Sequence, residues 1–207
     1  MAIQIDYYTQ NAHSLYTQYN DLDSEELHQS WICFLRAQPG LACDLGAGTG
    51  RDAAWLARKG WDVTAVEPNA DLRTLGEQYT SESPQGSAAT WLDDSLPDLE
   101  VLRSRNLRFH LILLSAVWMH MPPVQHERAM RILSDLLAPG GLLVITLRHG
   151  PDEEGRFYPV CADDVIRLAE ADGLTTKICT RTSDLRRPDI EWDTLAFILP
   201  NQDGSAV

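Results

Sequence analysis

The sequence predicts an α/β fold: a doubly wound, mostly parallel seven-stranded sheet of Rossmann-like type, with an antiparallel strand pair at its C-terminal edge and an N-terminal helical cap. Three observations carry this reading. From Leu41 onward, short apolar runs alternate with helix-period segments, the pattern of right-handed parallel βαβ units. The first run ends in a glycine loop, Asp44-Leu45-Gly46-Ala47-Gly48-Thr49-Gly50-Arg51. The last two runs, 174–180 and 192–199, follow each other with no helix between them, as an antiparallel addition requires.

Residues 1–40 read as the helical cap. Tyr7, Tyr8, Tyr16 and Tyr19 punctuate its first segment, and a second helix is expected from Asp23, with Glu26 completing a capping box. Leu27, Trp31, Phe34 and Leu35 recur at helical spacing and predict one apolar stripe, ended by Pro39-Gly40. Strands are expected at 41–45, 61–66, 88–92, 109–114 and 142–147. Helices are expected at 52–59, 70–79, 124–137 and 163–171, with Pro139-Gly140-Gly141 closing the third and a polar loop at 81–86. Residues 41–200 then form the main domain, and 201–207 a frayed tail.

With 207 residues, 44% of them hydrophobic, the chain is long enough for one α/β domain with a real core. Its net charge of -13 argues against nucleic acid as a partner, because an acidic surface repels phosphates. The clusters Arg103, Arg105, Arg108 and Arg181, Arg186, Arg187 are read as solvated surface positions. Cys33, Cys43, Cys161 and Cys179 make no CxxC pair, so neither a disulfide framework nor a zinc site is signalled, and no metal is expected. The N-terminus lacks the basic and apolar regions of a signal peptide, and the apolar runs at 111–119 and 141–147 are too short to span a bilayer. The expected setting is the cytoplasm, with a small-molecule substrate and no membrane. The sequence does not reveal the oligomeric state.

Open parallel sheets bind ligands beyond the carboxyl ends of their strands. Here the polar clusters fall at such ends: 44–51, Glu67-Pro68-Asn69, Asp93-Asp94 and 115–123. Gly46, Gly48 and Gly50 permit a tight turn close to a ligand, and the following helix offers free N–H groups to an anion. That anion is either a dinucleotide pyrophosphate or the carboxylate of an amino-acid cofactor. The pattern GxGxG puts the third glycine one residue earlier than the dinucleotide fingerprint, and Asp44 would repel a pyrophosphate but accept from an amino group. Glu67 suits two ribose hydroxyls of either cofactor type.

Taken together, 44–51, Glu67, Asp93-Asp94-Ser95-Leu96-Pro97, 109–122 and Leu137-Ala-Pro-Gly-Gly-Leu-Leu-Val resemble class I S-adenosylmethionine (SAM)-dependent methyltransferases in order and spacing. The resemblance is to bacterial small-molecule enzymes of the ubiquinone-biosynthesis and tellurite-resistance types, and it covers about residues 41–147. It implies a methyltransferase domain over 41–200 with SAM as cofactor. Gly46, Gly48 and Gly50 would line its methionine part, Ala47 and Arg51 of the same loop would also bind the cofactor, and Asp44 would lie near the amino group. Glu67, beside Pro68, would hold the ribose; Asp93 or Asp94 the adenine; Ser115 and Ala116 the sulfonium side. Relatives place the adenine acid four residues before Leu-Pro, whereas Asp93 is three before and Asp94 two; Asp93 is preferred because it directly follows the strand.

Since relatives often fold an N-terminal helix over the cofactor, Tyr19 is assigned to the cofactor side and Tyr16 to the substrate side. His120 is the candidate general base, weighed against a loop histidine bonded to backbone. Trp118, Arg148 and His149 are candidate substrate residues, weighed against core packing for the first and a solvated strand exit for the other two. Three function classes compete: a methyltransferase acting on an O, N or S nucleophile, a SAM-binding protein without methyl transfer, and a nicotinamide-dependent oxidoreductase.

Overall fold

The structure is a computed structural model that describes residues 2–82, 89–184 and 186–201. Two compact units are formed, one from Met1–Ser95 with Glu100–Asn106, the other from Leu96–Leu99 with Leu107–Val207. Among the described residues the strand order is β3-β2-β1-β4-β5-β7-β6, where β1 is Leu41–Leu45, β2 Asp62–Val66, β3 Thr90–Leu92, β4 Phe109–Leu114, β5 Leu137–His149, β6 Thr175–Ser183 and β7 Glu191–Ile198. The sheet is mixed, as expected: β1 to β3 pair in parallel, β4 and β5 pair in parallel, and β7 pairs antiparallel with both β5 and β6.

In the first unit, helix α1 (Ala2–Asn20) buries Ala12 and Leu15 and packs on α4 (Ala70–Ser81), where Tyr16 and Tyr79 meet edge to face at 5.9 Å. Helix α2 (Ser24–His28) is capped by Asp23, which accepts the Glu25 N–H at 2.8 Å. It ends at His28, so the expected stripe is not one helix. Trp31 is fully buried after the chain has turned, while Leu27 lies 40% exposed. The His28 ring is engaged with Trp31 and with the distant Asp52, which fixes a turn where the apolar spacing alone predicts continuation. Helix α3 (Arg51–Arg58) and helix α4 sit close together because two glycines make room for one indole. A Cβ on Gly50 would lie 3.1 Å from Trp91, and one on Gly76 would overlap the same ring. The indole N–H donates to Thr80 at 3.0 Å. A short helix, α5 (Glu100–Ser104), follows β3 and went unpredicted.

In the second unit the core is continuous: Leu111, Ile112, Leu113 and Leu114 on β4, Leu143, Val144 and Ile145 on β5, and Leu195, Ala196 and Phe197 on β7 are all fully buried. Strands covered on both faces read as unbroken apolar runs, as these do. Helix α6 (His126–Leu136) turns Met130 and Leu133 inward, and α7 (Ala162–Ala171) buries Val165 and Ala169. Edge strand β6 instead carries exposed polar residues, a defence against pairing with other chains. Strand β5 starts five residues earlier than expected, at Leu137 rather than 142. The Pro139-Gly140-Gly141 turn is absorbed as an irregularity of the strand: Leu137 pairs with Phe109, the register shifts, and Gly140 and Gly141 exchange backbone bonds with Leu199. The expected tail lies almost wholly outside the described residues, as do most of the 81–86 loop and Ala88.

Candidate functional site

The glycine loop leaves β1 and is held from two sides. The Gly46 and Ala47 N–H groups donate to the Val66 carbonyl at 2.8 and 3.0 Å, and the Gly48 N–H donates to Glu67 Oε2 at 2.9 Å. Gly46, Gly48 and Gly50 all adopt positive φ (68°, 54° and 83°), which explains why glycine occupies all three positions. Gly50 then N-caps α3.

Asp44, the last but one residue of β1, is 2% exposed. It accepts from the Ala53 backbone, while its Oδ2 has no hydrogen-bond partner among the described residues. Burial pushes its carboxyl well above the usual range, the Asp52 and Glu67 charges add to this, and Arg51 opposes it. A buried acceptor with no partner costs free energy that a cationic ligand would recover. Asp52 shows the contrast. Burial would raise it too, but Arg51 and His28 outweigh that and hold it well below the usual range. Arg51 makes a two-pronged contact, Nε to Oδ1 at 2.9 Å and Nη2 to Oδ2 at 2.6 Å. Ser24 donates to Oδ1 at 2.8 Å. Trp31 donates to His28 Nδ1, which puts the ring proton on Nε2, 3.0 Å from Asp52 Oδ1. Arg51, expected to line a cofactor, is thus committed first to Asp52, with Tyr19 among the groups that act on it electrostatically.

Glu67 closes β2, buried, with both carboxylate oxygens in use: Oε2 on Gly48 and Oε1 on the Asn69 N–H at 2.8 Å. Burial raises its carboxyl above the ordinary value against the pull of those two bonds. Asn69 caps α4 and donates to Thr9 of α1 at 2.9 Å. Pro68 beside it is exposed. Of the adjacent acids after β3, Asp94 is tied to backbone, accepting from Ser95 and, at 2.8 Å, from Leu102 in the first turn of α5. Asp93 is exposed and meets Arg73, whose other nitrogen donates to the Glu67 carbonyl at 2.6 Å. From α1, Asn20 Oδ1 accepts the Thr49 hydroxyl at 3.0 Å. Asn20 and Arg73 were not singled out in sequence, and Asn69 was named only as part of the strand-end cluster after β2, with no role of its own. Asn69 was legible as the polar residue opening a helix after Glu67-Pro68, whereas Asn20 carries no local signal.

The second unit holds the remaining candidates. Ser115 and Ala116 leave β4 half-buried, and Ala116 sits at φ 61° with its N–H donating to Thr146 at 2.8 Å. A non-glycine residue at positive φ is a strained position of the kind that collects at functional loops. His120 packs edge-on against Phe157 at 5.0 Å, and burial, with Arg156 nearby, lowers it to about 4 against the opposing effects of Asp152 and a bond to the Ala116 backbone. Phe157 is also flanked by the guanidinium groups of Arg148 at 5.0 Å and Arg156 at 4.8 Å. Trp118 is fully buried and lies 4.7 Å from the His126 ring, the packing role weighed for it from sequence. His149 contacts Asp193 at 2.8 Å, a carboxylate that Arg181 also grips at 2.6 and 2.7 Å.

The first unit thus brings together a glycine loop, a glutamate after β2 and a buried aspartate whose Oδ2 has no partner among the described residues, on a sheet of Rossmann-like type. Residues 24–175 match a family model described as a methyltransferase domain, and the chain belongs to that family, in line with the class I resemblance of its motifs. No curated protein matches the sequence. Solved structures do. The 1,6-didemethyltoxoflavin-N1-methyltransferase of Burkholderia thailandensis, with 1,6-didemethyltoxoflavin and S-adenosylhomocysteine bound, superposes with a TM-score of 0.72 over 97% of this chain and 88% of its own, at 17% identity. The magnesium protoporphyrin IX methyltransferase of Synechocystis PCC 6803, with S-adenosylhomocysteine, also gives 0.72, over 93% and 96%, at 17% identity. The N-methyltransferase NodS of Bradyrhizobium japonicum, in complex with S-adenosylhomocysteine, gives 0.67 over 92% and 100%, at 19% identity. These likenesses show the fold. Among the described residues no helix is long and apolar enough to cross a membrane, and no cluster of ligating side chains would hold a metal.

Proposed function

We propose that this methyltransferase uses SAM and transfers its methyl group to an O, N or S nucleophile of a small molecule in the cytoplasm. The observation that carries the cofactor reading is Asp44: a buried carboxylate whose Oδ2 lacks a partner, beside a loop that three positive-φ glycines keep open. Asp44 would take the amino group, the loop around Gly46, Ala47 and Gly48 the methionine part, and Glu67 the ribose hydroxyls. Asp93 is the better adenine acid, since Asp94 already serves two backbone donors. Bound SAM supplies a methyl group already activated on a sulfonium, so the protein's task is to align and to exclude water. Arg51 holds the first turn of α3 through Asp52 and keeps positive charge next to Asp44. Tyr19, through its action on Arg51, supports a place for α1 on the cofactor side, while Tyr16 packs on Tyr79 instead of standing free.

In the second unit the shift to about 4 leaves the His120 imidazole unprotonated at physiological pH but a weak base, suited to an acceptor that loses its proton readily. Ser115 and Ala116 are kept as cofactor residues on their position after β4. Arg148 is the candidate for an anionic acceptor group; His149 and Trp118 are better read as structural, given their partners. The acceptor is free of nucleic acid in this reading, which the net charge of -13 supports. Cytoplasmic placement is supported by four cysteines that form no disulfide. Titration of the protein with SAM and with S-adenosylhomocysteine, followed by incubation with SAM and a panel of small O, N and S nucleophiles, tests the proposal. Binding of both and appearance of S-adenosylhomocysteine with a methylated acceptor are expected. Absence of SAM binding at millimolar concentration would refute it.

A further inference from the structure

Three arginines of the second unit, Arg148, Arg156 and Arg187, lie close enough to act on one another electrostatically. Arg148 is the last residue but one of β5 and, two residues beyond Thr146, points to the same face of the sheet. Thr146 accepts the Ala116 N–H, so Arg148 stands next to where the chain leaves β4. Its Nη2 donates to the Pro151 carbonyl at 2.7 Å, and its guanidinium lies 5.0 Å from the centre of the Phe157 ring. Phe157 is itself fixed. Its N–H donates to Asp152 Oδ2 at 2.7 Å, the Tyr158 N–H donates to the Met119 carbonyl at 2.8 Å, and His120 packs edge-on against the ring at 5.0 Å. Arg156 flanks the same ring but is paired with Glu154, and Arg187 is paired with Asp184, both at 2.7 Å. Arg148 is half-buried and makes no ion pair among the described residues. Burial, then the charges of Arg187 and Arg156, pull it below the ordinary arginine value against Asp152 and Asp184.

A half-buried guanidinium with no carboxylate partner, crowded by two others, is stabilised by an anion. A chain of net charge -13 disfavours small anions over most of its surface, so this concentration of positive charge is a local feature. Stacking on an aromatic ring uses the face of a guanidinium and leaves the N–H groups at its edge for a carboxylate or phosphate. We infer that the methyl acceptor carries an oxyanion, a carboxylate or a phosphate, which Arg148 grips through its planar fork, and that Phe157 is the positioning residue that holds the fork in place. The inference rests on the methyltransferase proposal above and gives its acceptor a chemical class. It also brings in Phe157, a residue of the connection between β5 and α7 that no sequence motif marks.

The test uses the protein saturated with S-adenosylhomocysteine. Three anions are titrated beside uncharged counterparts: benzoate and benzamide, hexanoate and hexanamide, phenyl phosphate and phenol. At least one anion is expected to bind about tenfold or more tightly than its counterpart, the gain of a hydrogen bond to a charged group. Which anion is favoured separates carboxylate from phosphate. Arg148→Gln should abolish the preference, and Arg148→Lys, which keeps the charge without the fork, should retain part of it. Phe157→Leu should reduce the preference and Phe157→Tyr preserve it, with the uncharged counterparts unaffected throughout. Arg167→Gln, an exposed position on α7, should change nothing. Absence of any preference in the unmodified protein overturns the inference and leaves the cofactor reading standing; so does a preference that survives Arg148→Gln. Equal weakening of anion and counterpart in Phe157→Leu would make Phe157 a packing residue and overturn its positioning role. If S-adenosylhomocysteine does not bind, the cofactor reading falls, and this inference with it.

Discussion

Replacing Glu67 by glutamine separates the loop's architecture from its ligand chemistry. Each oxygen of the carboxylate receives one backbone N–H, from Gly48 at 2.9 Å and from Asn69 at 2.8 Å. A glutamine amide accepts at one position only and turns an NH2 toward the other N–H. One charge-assisted bond, worth about 1.5–3 kcal/mol, is lost. Part of this is returned, because the carboxylate is raised above its ordinary value by burial, so removing its charge relieves some desolvation. The net expectation is a fold weaker by about 1–2 kcal/mol, a melting temperature lower by about 2–8 °C for a chain of this size. On the proposed ribose role the ligand would lose more: an acceptor for its hydroxyls as well as the anchor that sets Gly48. S-adenosylhomocysteine should bind about ten- to a hundredfold more weakly. Thermal denaturation and isothermal titration on the same sample read both numbers. If the melting temperature falls while the dissociation constant of the folded protein stays within about twofold, Glu67 only braces the loop and its ribose role is refuted.

Asp44→Asn should raise stability while weakening S-adenosylhomocysteine. Burial holds the Asp44 carboxyl well above its unfolded value, so the charged form is penalised in the fold at neutral pH, and a neutral amide removes the penalty. Relief of about 1–3 kcal/mol is expected from thermal melts; a lower melting temperature, or unchanged ligand affinity, would contradict the assignment. His120 is shifted the other way, to about 4. The unfolded chain therefore takes up this proton first, and stability falls as pH drops from the ordinary histidine value toward about 4. His120→Asn should flatten that part of the stability profile and lower turnover without changing S-adenosylhomocysteine affinity; unaltered turnover would reduce it to a structural residue. Gly76→Ala drives a methyl into the Trp91 ring, which is also wedged against Gly50 and tied to Thr80. A net loss of about 1–3 kcal/mol is expected despite alanine's better helix propensity, and a neutral or stabilised variant in urea denaturation would show that Trp91 can move aside.

What the sequence revealed of the fold follows from where one physical signal dominated. Strands β1 and β4 begin and end where their apolar runs do, because a strand buried on both faces is apolar at nearly every position, with Asp44 and His110 the exceptions. The boundary of α2 was misread because its stop is set by a long-range partner: His28 is held by Asp52, twenty-four residues away in the chain, and no local spacing encodes that. Strand β5 was cut short for the opposite reason. Pro139-Gly140-Gly141 is a strong local turn signal, yet neighbouring chain on both sides, Phe109 and Leu199, supplies pairing that a turn does not need. Helix α5 is too short for any periodicity, and it exists where the Asp94 carboxylate meets the Leu102 N–H.

The site divides along the same line. Glycines at positive φ and acids at strand ends announce themselves, since few other residue types tolerate those places. Which acid does what is decided by neighbours that sequence does not show. Asp44 and Asp52 stand eight residues apart, both almost fully buried, and burial pushes both upward. Asp52 keeps its charge because a guanidinium, an imidazole and a hydroxyl converge on it. Asp44 is left with an unanswered oxygen. The protein thus spends its local cations and donors on the aspartate that fastens α2 to α3, and leaves the other short of a partner. That asymmetry is what a binding site requires: an aspartate already satisfied from within would gain nothing from a ligand's ammonium, and one exposed to water would gain little.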